Sequence, residues 1–123
     1  NAARFGAKWH LKPEDRLDEY REALQLNRKA GEALAQGDLV GAIRGYRDAL
    51  LLAPQLARSH NDLAVALWQA GAGADAFERL KAALRLDPEF SEARENLRDV
   101  ARALGREGEA RDVLGSPEVE ENP

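Results

Sequence analysis

The 123-residue chain contains no cysteine, no methionine and no threonine, and only two histidines. Without cysteine there is no disulfide, no thiolate nucleophile and no sulfur-ligated metal. His10 and His60 stand far apart and lack HExxH-type spacing, so neither offers a zinc site. Long apolar runs are also missing. No window approaches the roughly 18 apolar residues that a membrane span needs, and no signal-peptide pattern opens the chain. Lysine is scarce, 4 against 14 arginines, and 22 acidic residues bring the net charge to -4. That balance, with a pI near 5.3, disfavours nucleic acid as a main partner, because phosphates call for a basic face. The Asn1-Ala2-Ala3 opening and the missing methionine suggest a piece of a longer protein. The preference for Arg and Ala suggests a GC-rich bacterial source, with cytoplasm and periplasm both open. The rest is ordinary for a globular domain: 44% hydrophobic, 33% charged, mean hydropathy -0.56, and long enough for one real core.

What is present is a period. Gly37, Gly71 and Gly105 recur every 34 residues, as do Ala42, Ala76 and Ala110, and Tyr46, Leu80 and Leu114. Ala49/Ala83, Leu50/Leu84, Leu52/Leu86 and Pro54/Pro88 repeat at the same interval. The pattern describes two antiparallel helices per unit. Each Gly stops a first helix, because glycine takes the left-handed cap conformation at little cost. Ala42 and Ala76 are small enough for the paired helices to approach closely, and Tyr46/Leu80 and Ala49/Ala83 follow on the same face. Pro54 and Pro88 end the second helices, since proline disfavours helix at the residue before it.

The stretch Gln36–Pro54 resembles the turn and second helix of the tetratricopeptide repeat (TPR) family, and Asn61–Leu67 resembles its first-helix core. The resemblance implies an all-α fold, an α-α solenoid of about three TPR helix-turn-helix units over 23–56, 57–90 and 91–115, covering about four-fifths of the chain. Lys29 stands where the family usually has Leu, and Arg98 where it has a small residue. The third unit is abbreviated at Gly115-Ser116-Pro117, a natural polar cap for a solenoid. Upstream, Pro13-Glu14-Asp15 signals a helix start, so the first helix is extended and runs from about Pro13 to Gln36. A rival reading breaks it near Asn27, because Tyr20, Ala23, Leu24 and Leu26 mimic the end of a repeat's second helix. Residues 1–12 read as a linker, and 116–123 as an acidic tail.

Catalytic patterns do not assemble. Ser59 and Ser91 sit at helix starts, where serine commonly caps, and His60 falls on a first helix with a packing or hydrogen-bonding role. Gly71-Ala72-Gly73-Ala74-Asp75-Ala76 matches a dinucleotide fingerprint formally, but a helix precedes it instead of a strand. Glu92, Glu95 and Asp99 lie among Arg94, Arg98 and Arg102, which suits solvated ion pairs. We therefore expect no catalytic residue, cofactor or metal.

In TPR arrays the first helices line a concave groove that holds a peptide or partner protein. The resemblance thus implies a protein-interaction scaffold with groove residues Asn27, Arg28 and Gly31 in unit one. Unit two contributes Arg58, Asn61, Asp62, Val65, Trp68 and Gln69, and unit three Glu92, Glu95, Asn96, Asp99 and Arg102. Trp68 is the expected contact residue, either in the groove or buried between units one and two. Chaperone-binding members clamp a C-terminal carboxylate at five first-helix positions, which here are Asn27, Gly31, Asp62, Glu92 and Asn96. No cation stands at any of them, and Asp62 and Glu92 repel a carboxylate. Two alternatives remain: an accessory domain of a larger bacterial enzyme such as a glycosyltransferase or sulfatase, and a self-association module whose array ends cover one another as a homo-oligomer. Direct membrane insertion is not expected.

Overall fold

The structure, a computed structural model, describes residues 13–115. The readings of 1–12 and 116–123 fall outside these residues. Six helices follow one another: α1 Pro13–Ala35, α2 Leu39–Leu52, α3 Ala57–Gln69, α4 Gly73–Leu86, α5 Ser91–Leu104 and α6 Glu107–Leu114. Among the described residues there is no strand, and no helix is long and apolar enough to cross a membrane.

Local chemistry explains the punctuation. Gly37, Gly71 and Gly105 have φ of 82°, 86° and 71°, values that strain any residue with a Cβ. At each one the helix closes in the same way. The amide of the following residue bonds back to the carbonyl five positions earlier: Asp38 to Ala33, Ala72 to Leu67 and Arg106 to Ala101, all at 2.8 Å. This is the Schellman closure, which satisfies carbonyls that a helix end leaves bare. Asp38 then starts α2, its carboxylate accepting from the Gly41 amide at 2.9 Å. The second helices stop at Leu52 and Leu86, two residues before Pro54 and Pro88, where Ala53 and Asp87 leave the helical conformation.

Helix α1 runs unbroken through Asn27. No glycine or proline interrupts it there, and the Asn27 side chain bonds to α3 instead of competing for its own backbone. The capping assignments for serine were wrong. Leu56 and Phe90 occupy the cap positions of α3 and α5 without a side-chain bond. Ser59 is instead buried within α3, and Ser91 is the first residue of α5.

Packing follows the repeat register. Ala42, Ala76 and Ala110 are buried at the contact within each hairpin, as are Tyr46 and Leu80. The first hairpin is closely packed: a Cβ on Gly45 would come within 2.8 Å of the Ala30 methyl. One core runs from Ala30 to Ala110 around Leu63, Phe77, Leu80 and Leu97, and a smaller one joins Ala23 to Ala49, Ala53 and Leu56. Each second helix packs on its own first helix and on the next one, while α1 meets α3 and α3 meets α5. Between α2 and α4 lies an open groove of about 730 Å³ floored by Leu63 and Leu67. Close first helices and separated second helices bend the array, so α1, α3 and α5 form its concave wall.

The last described helix is held differently. α6 has eight residues against fourteen in α2 and α4. Arg106 stacks 4.2 Å from the Phe77 ring and bonds Glu109 through two nitrogens, at 2.9 and 3.0 Å. Lys81 bridges Glu78 and Glu109, and Arg94 donates to the Leu114 carbonyl. Arg98 is exposed and lines a cleft of about 230 Å³ with Ala101, Ala110 and Leu114.

Candidate binding face on the first helices

The concave wall carries a continuous polar seam. The Ser59 hydroxyl donates to Asn27 Oδ1 at 2.6 Å, and Asn27 Nδ2 donates to Asp62 Oδ2 at 3.2 Å. Asn61 Nδ2 donates to Asp62 Oδ1 at 3.3 Å and to Glu92 Oε2 at 3.1 Å. Asn96 Nδ2 donates to Asn61 Oδ1 at 3.0 Å. The seam thus stitches α1 to α3 and α3 to α5 through six side chains. Asn61 is its centre and is wholly buried, so its amide is a structural link and not a free groove contact. A buried amide is costly when unpaired, and here both of its amide hydrogens and its oxygen are used.

The seam perturbs its neighbours. Burial pushes the Asp62 carboxyl above its usual value, with the Glu92 charge adding to the shift, against the bonds from Asn27 and Asn61 and the nearby Arg58 charge. Burial, reinforced by Asp62, pushes the Tyr46 phenol up to about 12. On the other side of α3, burial lowers the His60 imidazole, with Arg79 and Arg85 acting the same way against its bond to Pro54. His60 Nε2 lies 3.0 Å from the Pro54 carbonyl and Nδ1 lies 3.1 Å from an Arg79 nitrogen. A neutral ring with its proton on Nε2 satisfies both bonds. Its role is to tie the α2–α3 loop to α4.

Below the seam lies the apolar part of the wall. Trp68 is 43% exposed and lines a cavity of about 210 Å³ with Ala64, Val65, Leu80 and Val100. Gln69, Asn96 and Asp99 supply its polar rim. The indole sits beside Gly73, where a Cβ would lie 3.0 Å from the ring and 3.2 Å from Leu104. Trp68 therefore stands between units two and three, not between units one and two.

The remaining groove candidates are spread over the wall. Arg28, Arg58, Gln69, Glu92, Glu95, Asp99 and Arg102 are exposed, while Asn27, Asp62, Val65 and Asn96 are half-buried. Arg28 pairs with Glu32 at 2.9 Å and Arg102 with Asp99 at 3.5 Å; Arg58 lies 5.5 Å from the Phe90 ring centre. The sequence did not mark Ser59, Leu80 or Val100 as part of this wall. Leu80 was visible only as a core position of the repeat, and Ser59 as a helix-start residue. Among the described residues, no group of three or more His, Asp or Glu is placed to hold a metal ion.

No family model matches the chain, and no curated protein matches it. Among solved structures, the first TPR of Spaghetti (RPAP3), bound to the HSP90 peptide SRMEEVD, is similar with a TM-score of 0.70 at 23% sequence identity. The match covers 84% of this chain and 85% of that chain. Such a likeness speaks for the fold.

Proposed function

On the premise that this chain has the fold of a tetratricopeptide-repeat domain, we propose that it is a protein-interaction module that binds a peptide or partner protein along the wall of α1, α3 and α5. The observation that carries this reading is the Trp68 cavity. A large aromatic left nearly half in water, next to an apolar hollow with a rim of amides and a carboxylate, has the make-up of an interface anchor point. The polar seam supports the same role, because it fixes the spacing of the three helices before a ligand arrives and so limits the ordering that binding must offset. The solved TPR of the same fold was captured with a peptide, which agrees with this use of the architecture. The test is capture of partners from the source organism by the full chain and by its Trp68→Ala variant. We expect the variant to lose partners that the unsubstituted chain retains. An unchanged set of partners would refute the groove reading.

Self-association is a second reading, favoured by one observation. Leu17, Tyr20 and Leu24 form an exposed stripe along the N-terminal half of α1. Light scattering that shows a strict monomer at high concentration would exclude it.

A further inference from the structure

We infer that this wall selects a peptide carrying a basic side chain two or three residues from an apolar anchor, the opposite charge to that of an acidic C-terminal tail. The inference rests on the reading of α1, α3 and α5 as the binding face. Two independent features of the wall meet in it, a seat for the anchor and an unneutralised charge at a fixed distance.

The anchor seat is the hollow walled by Val65, Trp68, Leu80 and Val100, about 210 Å³ and open to solvent. Its lining is mostly apolar, with Gln69, Asn96 and Asp99 as its polar members, so an aliphatic or aromatic side chain gains by entering.

The charge comes from the bookkeeping of ion pairs. Arg28 is engaged by Glu32 and Arg102 by Asp99, while Arg58 faces the Phe90 ring and acts on Asp62 only through its charge, without a salt bridge to it. Among the described residues, Asp62, Glu92 and Glu95 have no salt-bridge partner. Asp62 and Glu92 are hydrogen-bonded only by amide side chains of the seam, which supply dipoles but no positive charge. Burial raises the Asp62 pKa first, and the Glu92 charge adds to it. A cation arriving there relieves that repulsion, whereas a carboxylate adds to it.

Helix geometry sets the spacing. Glu95 and Glu92 lie one and two turns from Asp99 at the cavity rim, about 6 and 10 Å along α5 at roughly 1.5 Å per residue. An extended peptide covers about 3.3 Å per residue. An anchor at Trp68 therefore brings a Lys or Arg two or three positions away against Glu95 or Glu92.

The test is selection of a random displayed-peptide library on the full chain, followed by titration of the enriched peptides and of the peptide SRMEEVD. Three variants accompany it: Trp68→Ala, Glu95→Gln, and Glu92→Gln with Glu95→Gln. Glutamine at 92 keeps an oxygen to accept from Asn61. Glu95 is exposed and has no ion pair among the described residues, so its variant keeps the fold. We expect enrichment of Lys or Arg near an apolar residue, loss of binding in Trp68→Ala, and about tenfold weaker binding in the double glutamine variant. Peptides that need Trp68 but are neutral or acidic, or micromolar binding of SRMEEVD, would overturn the charge inference and leave the binding face standing. No enrichment, or enrichment indifferent to Trp68→Ala, would overturn both.

Discussion

Equivalent positions of the first helices meet different fates. Lys29, Leu63 and Leu97 share one register; the lysine is exposed and both leucines are buried. Asn27, Asn61 and Glu95 share another, and run from half-buried through wholly buried to exposed. Ala30 and Ala64 are buried, but Arg98 at the same register is exposed. The register fixes which way a side chain points, and the neighbouring helix decides whether it is covered. Leu63 faces the groove between α2 and α4, while no described second helix precedes α1 to cover Lys29. Asn61 has α5 beside it, and no described first helix follows α5 to cover Glu95. At Lys29 and Glu95 a charge thus stands where no described helix adds cover, in place of the buried Leu63, Leu97 and Asn61.

The strongest way to break this comparison is truncation of the leucines. Leu63→Ala or Leu97→Ala should cost about 2–5 kcal/mol through lost burial and a residual cavity, whereas Lys29→Ala should stay within about 0.5 kcal/mol. Urea unfolding monitored by circular dichroism checks both, and equal losses would show that the register carries the energy without the neighbour.

The asparagine series sharpens the same point. Asn61→Ala strands partners on both sides of α3 and should cost about 2–3 kcal/mol, against about 1 kcal/mol for Asn27→Ala at the α1 end of the seam. Glu95→Ala should leave the melting temperature unchanged within error.

A smaller effect separates the two faces of α3 by pH. Folding lowers the His60 pKa below 6.5, so between that lowered value and 6.5 the unfolded chain binds more protons. Stability should therefore rise with pH across that window, and its His60 part should be complete above 6.5. Asp62 has the opposite sign. Its folded pKa lies above 3.8, so between 3.8 and the raised value the folded chain binds more protons and stability falls as pH rises. Melting curves of His60→Gln and Asp62→Asn should flatten the respective slopes, and a slope that survives its own substitution would remove the assignment.

Much of the fold was legible because it was written twice or three times. The glycine turns, the Pro54 and Pro88 stops and the small alanines each recur at the same interval, and each has a local physical reason. The unbroken α1 rests in the sequence on the lack of a break before Gly37, yet Gly31 lies inside the helix and is tolerated there. The roles of Ser59 and Trp68 were not legible. Ser59 looks like a cap by its place near a helix start, but its partner Asn27 lies on another helix, and no local rule identifies that partner. Trp68 stands on the correct helix, yet its side of the array depends on Gly73 and Leu104 leaving room for the ring, a matter of packing between units. Asn61 was read as a groove contact because its type suits peptide binding; only its burial shows that it belongs to the seam.

The central claim is that the wall of α1, α3 and α5 is the binding face. Amide chemical-shift mapping of the isotope-labelled chain with a library-selected peptide tests it most directly. The account predicts shifts at Val65, Trp68, Asn96 and Asp99 with little change at Val40 and Leu51, which are exposed on α2. Shifts confined to Val40, Leu51 and the groove between α2 and α4 would contradict it.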